Sequence, residues 1–228
     1  MISQSDRAVV LLQNMIEIGE LKPGSMVSEH MLMELTSLGR TPVREAIQRM
    51  ALTHILRIHP NKGIEIPPLS VEDQLSRLEV RRSLELLAVT LACVRATTKD
   101  LADIENLSEE LKGEFSLVSY IETVRQTHAL IVRAAHNPYL EASMTPLQTL
   151  SRRFWIMNLK NQAKEISTGK ILHGKVLKAI KEQKIDDAKN ASLELNDYLA
   201  QFSLDSVAQR MVPSIKTVTK EGYSQKVN

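Results

Sequence analysis

The chain has 228 residues, 43% of them hydrophobic and 25% charged, with a formal net charge of +2. Such a chain is long enough to bury one large core or two small ones, and too nearly neutral to coat nucleic acid as a bulk polycation. The single cysteine, Cys93, excludes an internal disulfide framework and a cysteine-based zinc site within one chain; with no signal-peptide pattern and no apolar run long enough to span a bilayer, the expected compartment is the cytoplasm, with no membrane partner.

Charge is unevenly spread. Residues 40–62 carry Arg40, Arg44, Arg49, Arg57 and Lys62 against Glu45 alone, whereas residues 1–39 lean acidic. A focused basic patch suits a module that meets a polyanion with one face. Chance clustering on a solvated surface accounts for the charge alone equally well.

In chain order, Ala8, Leu11, Leu12, Met15 and Ile16 form the stripe of a first amphipathic helix, which Gly19 and Lys22-Pro23-Gly24 end. Ser28 is the expected N-cap of a second, short helix with Met31, Leu32 and Leu35 inward. After a turn through Thr36 to Arg40, Thr41-Pro42 reads as an N-cap followed by a proline at the first helical position. Val43, Ala46, Ile47 and Met50 are the buried stripe of this third helix. Arg40, Arg44 and Gln48, four residues apart, form a row of long donors suited to base edges in a major groove. The helix's free N-terminal amides suit a phosphate. Two β-like runs, Ile55–His59 and Gly63–Ile66, joined by Pro60-Asn61-Lys62, predict a small hairpin with a cationic tip. Three helices and such a wing make a winged helix-turn-helix; a helical cap with an incidental hairpin is the bland alternative.

Pro67-Pro68 breaks helix and sheet alike, and Ser70 with Asp73 is a capping-box-like restart. The expected organisation is a DNA-binding domain at 1–68, a helical domain at 69–211 and a flexible tail at 212–228. The predicted fold class is mostly α, a winged helix-turn-helix with a β-hairpin wing followed by an all-α bundle. Val71, Leu75, Leu78, Leu84, Leu87, Ala88, Leu91 and Ala92 give one long amphipathic helix. Thr97 with Asp100 caps the next; a third runs from Ser116 to Ala135, and others cover about 139–159, 161–183 and 185–208.

The strings Gly19-Glu-Leu-Lys-Pro-Gly24, Ser28-Glu29, Gly39-Arg-Thr-Pro-Val-Arg-Glu-Ala46 and Pro60-Asn-Lys-Gly63 resemble the DNA-binding domain of the GntR family of bacterial regulators. The resemblance implies DNA contacts by Arg40, Thr41 and Arg44, support from Arg49, and a wing tip at Lys62-Gly63 placed in the minor groove. Gly39 stands where the family usually has Ser, His30 where it often has a DNA-contacting Arg, and His54 where it has a turn glycine, so His54 is expected to be left-handed. Glu79-Val-Arg-Arg-Ser-Leu-Glu85, His128, Asn137-Pro138 and His173 resemble the FadR-type helical domain of the same family. That implies a homodimer reading a palindromic operator in double-stranded DNA, and an internal pocket for a small organic acid, often with a divalent metal such as zinc or nickel.

In the family that metal is held by one Asp and three His, the Asp four residues before the first His. Here Val124 stands four before His128, and Leu195, next to Asn196, stands twenty-two after His173. Only His128 and His173 remain as ligands, too few for a tightly held ion. The expectation is therefore a metal-free pocket of Val124, His128, His173, Leu195 and Asn196, with Arg81 clamping a carboxylate. Arg81 and Arg82 read equally well as a surface pair to Glu79 or Glu85, and Arg152 and Arg153 as pocket or dimer-face residues. Two other functions stay open, a DNA-binding dimer whose helical half is a ligand-free scaffold, and a helical-bundle enzyme. Against the enzyme, the sequence offers no nucleophile–base arrangement or cofactor loop, and Cys93 reads as core.

Overall fold

The computed structural model describes residues 3–218, and side chains as far as residue 207. The first helix, α1 (Gln4–Glu17), starts at Ser3, whose hydroxyl accepts from the Asp6 amide at 3.0 Å. It buries Ala8, Leu12 and Ile16, one turn apart, against α3 (Arg40–Leu52). Each such Leu or Ile contributes about 1.5–3 kcal/mol by leaving water. The predicted stripe of α3 is the observed one, with Val43, Ala46, Ile47 and Met50 all buried.

Its start differs from the expectation. The N-cap is Gly39, which offers no side chain, and Pro42 is the third helical residue. Proline is tolerated there because the first four helical amides have no partner within the helix in any case. Between them, α2 (Glu29–Thr36) is capped by Ser28 as predicted, its hydroxyl accepting from the Met31 amide. The inward residues are Leu32 and Thr36, however, while Met31 and Leu35 are exposed. With two turns only, α2 has one narrow buried face, and Thr36 enters it by bonding its hydroxyl to the Leu32 carbonyl at 2.7 Å.

The wing is a three-stranded sheet rather than a lone hairpin. β1 (Met26–Val27), β2 (Arg57–His59) and β3 (Gly63–Glu65) lie in the order β1-β3-β2, all antiparallel, with Val27 and Ile58 both opposite Ile64. A two-residue strand carries no periodic signal, so β1 is invisible in the sequence. Gly63 has φ +110, and a Cβ there would meet the Val27 carbonyl oxygen at 2.9 Å, so only glycine lets β1 close on β3. His54 is left-handed, as expected, at φ +59.

After Pro67-Pro68 the chain is helical. Ser70 caps α4 (Val71–Arg95), and Thr97 with Asp100 forms a full capping box on α5 (Thr98–Glu110). Then follow α6 (Leu117–Ala134), α7 (Pro138–Met157), α8 (Gln162–Lys181) and α9 (Ile185–Val218). The helix α9 carries on past the position where the predicted tail begins, and the rest of that tail, 219–228, lies outside the described residues. Cys93 sits in the core of this helical half, beside Ala92 and Leu130.

The long helix α4 packs mainly on α9 and α7. Its buried stripe is Gln74, Leu78, Arg81, Glu85, Ala88, Val89, Ala92 and Cys93, while the expected Leu87 points to solvent. The stripe is shifted because it buries an ion pair, which a hydrophobic count alone cannot reveal. The two halves meet where α1 packs on α7. Leu150 of α7 joins the core of the first half, and Met157 fills the space a side chain at Gly19 would take.

Candidate nucleic-acid interface and ligand cavity

On the outer face of α3, Arg40, Thr41, Arg44, Gln48 and Arg49 are exposed together. Glu29, at the start of α2, gathers two of them, with Arg40 Nε 2.7 Å and Arg44 Nε 3.6 Å from its carboxylate. Asp6 holds Arg49 at 2.7 Å, and the Ser3 hydroxyl and then the Arg49 guanidinium keep its carboxyl below the usual range. Exposed pairs of this kind add little to stability, because water and salt screen them. They preset the guanidinium positions yet yield readily to a phosphate. Ser3, Gln4 and Ser5, at the start of α1, form the second wall of a groove along α3; sequence periodicity gave no sign of them, since they lie outside the apolar stripe.

Lys62 is exposed at the wing tip, where its amide closes the turn on the His59 carbonyl at 3.0 Å. Gly63 serves that turn through its backbone conformation. His30 is exposed on α2, its Nδ1 3.6 Å from the Glu34 carboxylate.

In the helical half, five helices enclose a cavity. Arg81 comes from α4, Val124 and His128 from α6, Ser151, Arg152 and Trp155 from α7, Gly169 and His173 from α8, and Leu195 and Tyr198 from α9. Residues 45 apart in sequence, His128 and His173, face each other with Nε2 atoms 3.4 Å apart. Of the expected pocket residues only Asn196 is turned away, donating to the Leu78 carbonyl at 3.2 Å and tying α9 to α4. Gly169 is required because any Cβ would collide with the Tyr120 hydroxyl at 1.9 Å. Free space amounts to about 40 Å³, room for a water or two.

The polar atoms fix one another's protons. His173 Nδ1 lies 2.8 Å from the Gly169 carbonyl and must donate to it, which leaves Nε2 as an acceptor. His128 therefore donates from Nε2 to His173, and its Nδ1 accepts from Arg152 Nη1 at 3.2 Å. Burial, and next the neighbouring positive groups, hold His128 far below the ordinary imidazole range; burial brings His173 down to about 4. Both rings are neutral at pH 7.

Arg81 is neither a free clamp nor a surface residue. It is 1% exposed and donates twice to Glu85 Oε1, at 2.9 and 2.5 Å. Two buried oxygens have no hydrogen-bond partner among the described residues, Ser151 Oγ in the cavity wall and Glu85 Oε2 in a small adjoining space behind the two histidines. Arg82 pairs with Asp197.

The donor set does not fit a divalent metal. Val124 and Leu195 supply no ligand, His128 Nδ1 is committed to a guanidinium, and two arginines face the same space. Among the described residues no three His, Cys, Asp or Glu side chains converge.

Arg152 and Arg153, adjacent in sequence, tie the two halves together. Arg152 Nε donates at 2.7 Å to Glu17, the last residue of α1, and Arg153 Nη2 donates at 2.8 Å to the Pro67 carbonyl in the hinge. Arg125 of α6 reaches Glu17 at 3.5 Å. Sequence reasoning singled out neither Glu17 nor Arg125, because each takes its meaning from a partner over a hundred residues away.

A winged helix with an exposed basic face on α3, joined to a helical domain with an internal cavity, is the build of a DNA-binding transcription regulator. The chain belongs to the bacterial regulatory proteins of the gntR family: that family's model matches residues 4–66, and the FCD domain model matches 76–197. It is similar to the transcriptional regulator McbR of Escherichia coli, 35% identical over 103 residues, which are 44% of this chain and 46% of that protein, so this alignment spans less than half of McbR. The galactonate operon transcriptional repressor of the same organism is 25% identical over 219 residues, 85% of this chain and 94% of the repressor. The solved structure of E. coli McbR/YncC superposes with a TM-score of 0.73 at 25% identity, over 92% of this chain and all of that one. No helix among the described residues is long and apolar enough to cross a membrane.

Proposed function

We propose that this regulator binds a palindromic operator as a homodimer in the cytoplasm, and that a small organic acid entering the helical domain changes its operator affinity. Arg40, Thr41, Arg44 and Gln48 read the major groove, Arg49 braces them, and Lys62 enters the minor groove from a wing whose turn Gly63 shapes. His30 approaches the backbone at the edge of this face. The second half, residues 69–211, senses the ligand and dimerises.

One observation carries the ligand reading. A buried space holds a guanidinium, two neutral imidazoles and an unpartnered hydroxyl among aromatic walls, and unpaired buried polar groups are costly unless something uses them. The pocket works without a metal; protein purified from cells with one equivalent of zinc or nickel per chain would contradict this. Dimerisation is supported by Val80, Leu87 and Val94 on α4, seven residues apart and 50%, 44% and 65% exposed. They make an apolar seam of heptad spacing along one face.

The test is selection of bound sites from random duplex DNA with the wild type and with Arg40→Ala/Arg44→Ala. The wild type should enrich a short palindrome whose binding weakens steeply with salt, and the double variant should enrich none. Enrichment of the same palindrome by both would remove α3 from the reading. The narrow cavity is the single observation favouring a ligand-free scaffold instead. A panel of carboxylates that leaves the melting temperature unmoved would support that scaffold, because a ligand bound only to the folded state must raise it.

A further inference from the structure

The buried Glu17–Arg152 contact links the cavity to the DNA-binding half. Glu17 is 1% exposed and belongs to the first half, yet its carboxylate lies between two arginines of the second. Arg152 projects from α7 and Arg125 from α6, the two helices that supply His128, Val124, Ser151 and Trp155 to the cavity wall. Glu17 thus staples the two walls together from outside. Arg152 is shared: Nε and Nη2 face Glu17, and Nη1 faces His128 inside the cavity. Arg125, Arg152, Glu17 and Glu122 form a charge-balanced group, so a further buried anion on Arg152 must displace one already there.

We propose that Glu17 is an internal competitor of the effector. The effector is an apolar, flat monocarboxylate whose carboxylate takes Arg152 and Ser151 and whose body lies against Trp155 and Tyr120. Its entry breaks the Glu17 staple and frees α1 from α6 and α7. This rests on the ligand reading above and adds its chemistry and its route of transmission. The walls argue for the class: beyond Arg81, which donates to Glu85, and Arg152, the histidines and Ser151, the lining is aromatic, aliphatic or glycine, with few partners for a polyhydroxylated acid. The cavity's small size argues for the route. About 40 Å³ admits no such acid, so a ligand must select a state in which α6 and α7 stand apart, which is the state with Glu17 released.

Trp155 is the only tryptophan in the chain and lines the cavity, so its fluorescence reports binding directly. Phenylacetate, with galactonate as the polyhydroxylated control, is titrated into the full chain and into Glu17→Gln and Arg152→Gln variants. Hydrogen exchange of the α1 amides is followed in parallel. Phenylacetate should bind the wild type and speed α1 exchange. Glu17→Gln should bind it on the order of tenfold more tightly, since the competent state is no longer held back, with α1 exchange already fast before ligand is added. Arg152→Gln and galactonate should give no binding.

Equal affinity in wild type and Glu17→Gln, or wild-type binding that leaves α1 exchange unchanged, would overturn the competition while leaving the ligand cavity standing. No response of Trp155 to phenylacetate in either protein would overturn the proposed effector class and its competition with Glu17, while the ligand cavity falls only if the carboxylate panel also leaves the melting temperature unmoved. Should Glu17→Gln fold poorly, the exchange response of the wild type decides alone.

Discussion

At the scale of single residues, the two histidines matter because they are neutral by construction. His173 spends Nδ1 on the Gly169 carbonyl and His128 spends Nδ1 on Arg152, leaving one proton between their facing Nε2 atoms. Protonating either ring would bury a cation beside Arg81 and Arg152. The sign for stability follows. With its folded value lowered to about 4 from an ordinary 6.5, His173 takes up a proton more readily in the unfolded chain. Stability is therefore full above pH 6.5 and is lost as pH falls toward 4, by about 3 kcal/mol for this residue. Urea midpoints at pH 7.5, 6 and 5 should fall in that order for the wild type and fall less for His173→Gln. Equal slopes would show that the ring is not buried neutral. The apolar stripes of α6 and α8 made both histidines legible as inward residues. The fate of Arg81 was not, because an arginine and a glutamate four residues apart look the same whether they lie on a surface or inside a core.

Helix starts were the most readable feature at the scale of elements, since a capping side chain acts within three residues. Ser28, Ser70 and Thr97 each do what their sequence positions predict. Thr97 is the strongest case, because its box is reciprocal with Asp100. Burial raises that carboxyl, but hydrogen bonds from the Thr97 hydroxyl and amide, together with His136, bring it down to about 2. Thr97→Ala should cost about 1 kcal/mol, read as a lower urea midpoint with unchanged slope, and should leave operator affinity intact. The start of α3 went the other way. The pair Thr41-Pro42 mimics a cap, yet the helix begins at Arg40, because proline fits anywhere in the first turn. The inward face of α2 was misread for a related reason: over eight residues several helical faces carry apolar side chains, and only packing against α3 selects one.

At the scale of the molecule, the proposed dimer uses the exposed seam of Val80, Leu87 and Val94 to bring two copies of α3 together. A palindrome is read only if a two-fold axis relates them. Val94→Glu places a charge at the most exposed of the three positions, and should convert a dimer into a monomer in sedimentation at micromolar concentration while leaving the helical content unchanged. Persistence of the dimer would move the interface off α4. The hinge belongs to this scale too. Arg153 holds the Pro67 carbonyl while Arg152 holds Glu17, so consecutive residues of α7 fix the first half at two separate points.

The sequence by itself determined the periodic elements, the domain order and the exposed basic row on α3, because these rest on spacings of a few residues, whereas the left-handed turn at His54 followed from the family resemblance. Only the tertiary structure decided that Met26–Val27 pairs with the wing, that Arg81 is bound to Glu85 rather than free, and that Glu17 is buried between Arg125 and Arg152. Each turns on where folding places a group: β1 and Glu17 meet partners far along the chain, while Arg81 and Glu85, four residues apart, are buried by the helices that pack over them, and no local pattern encodes either outcome.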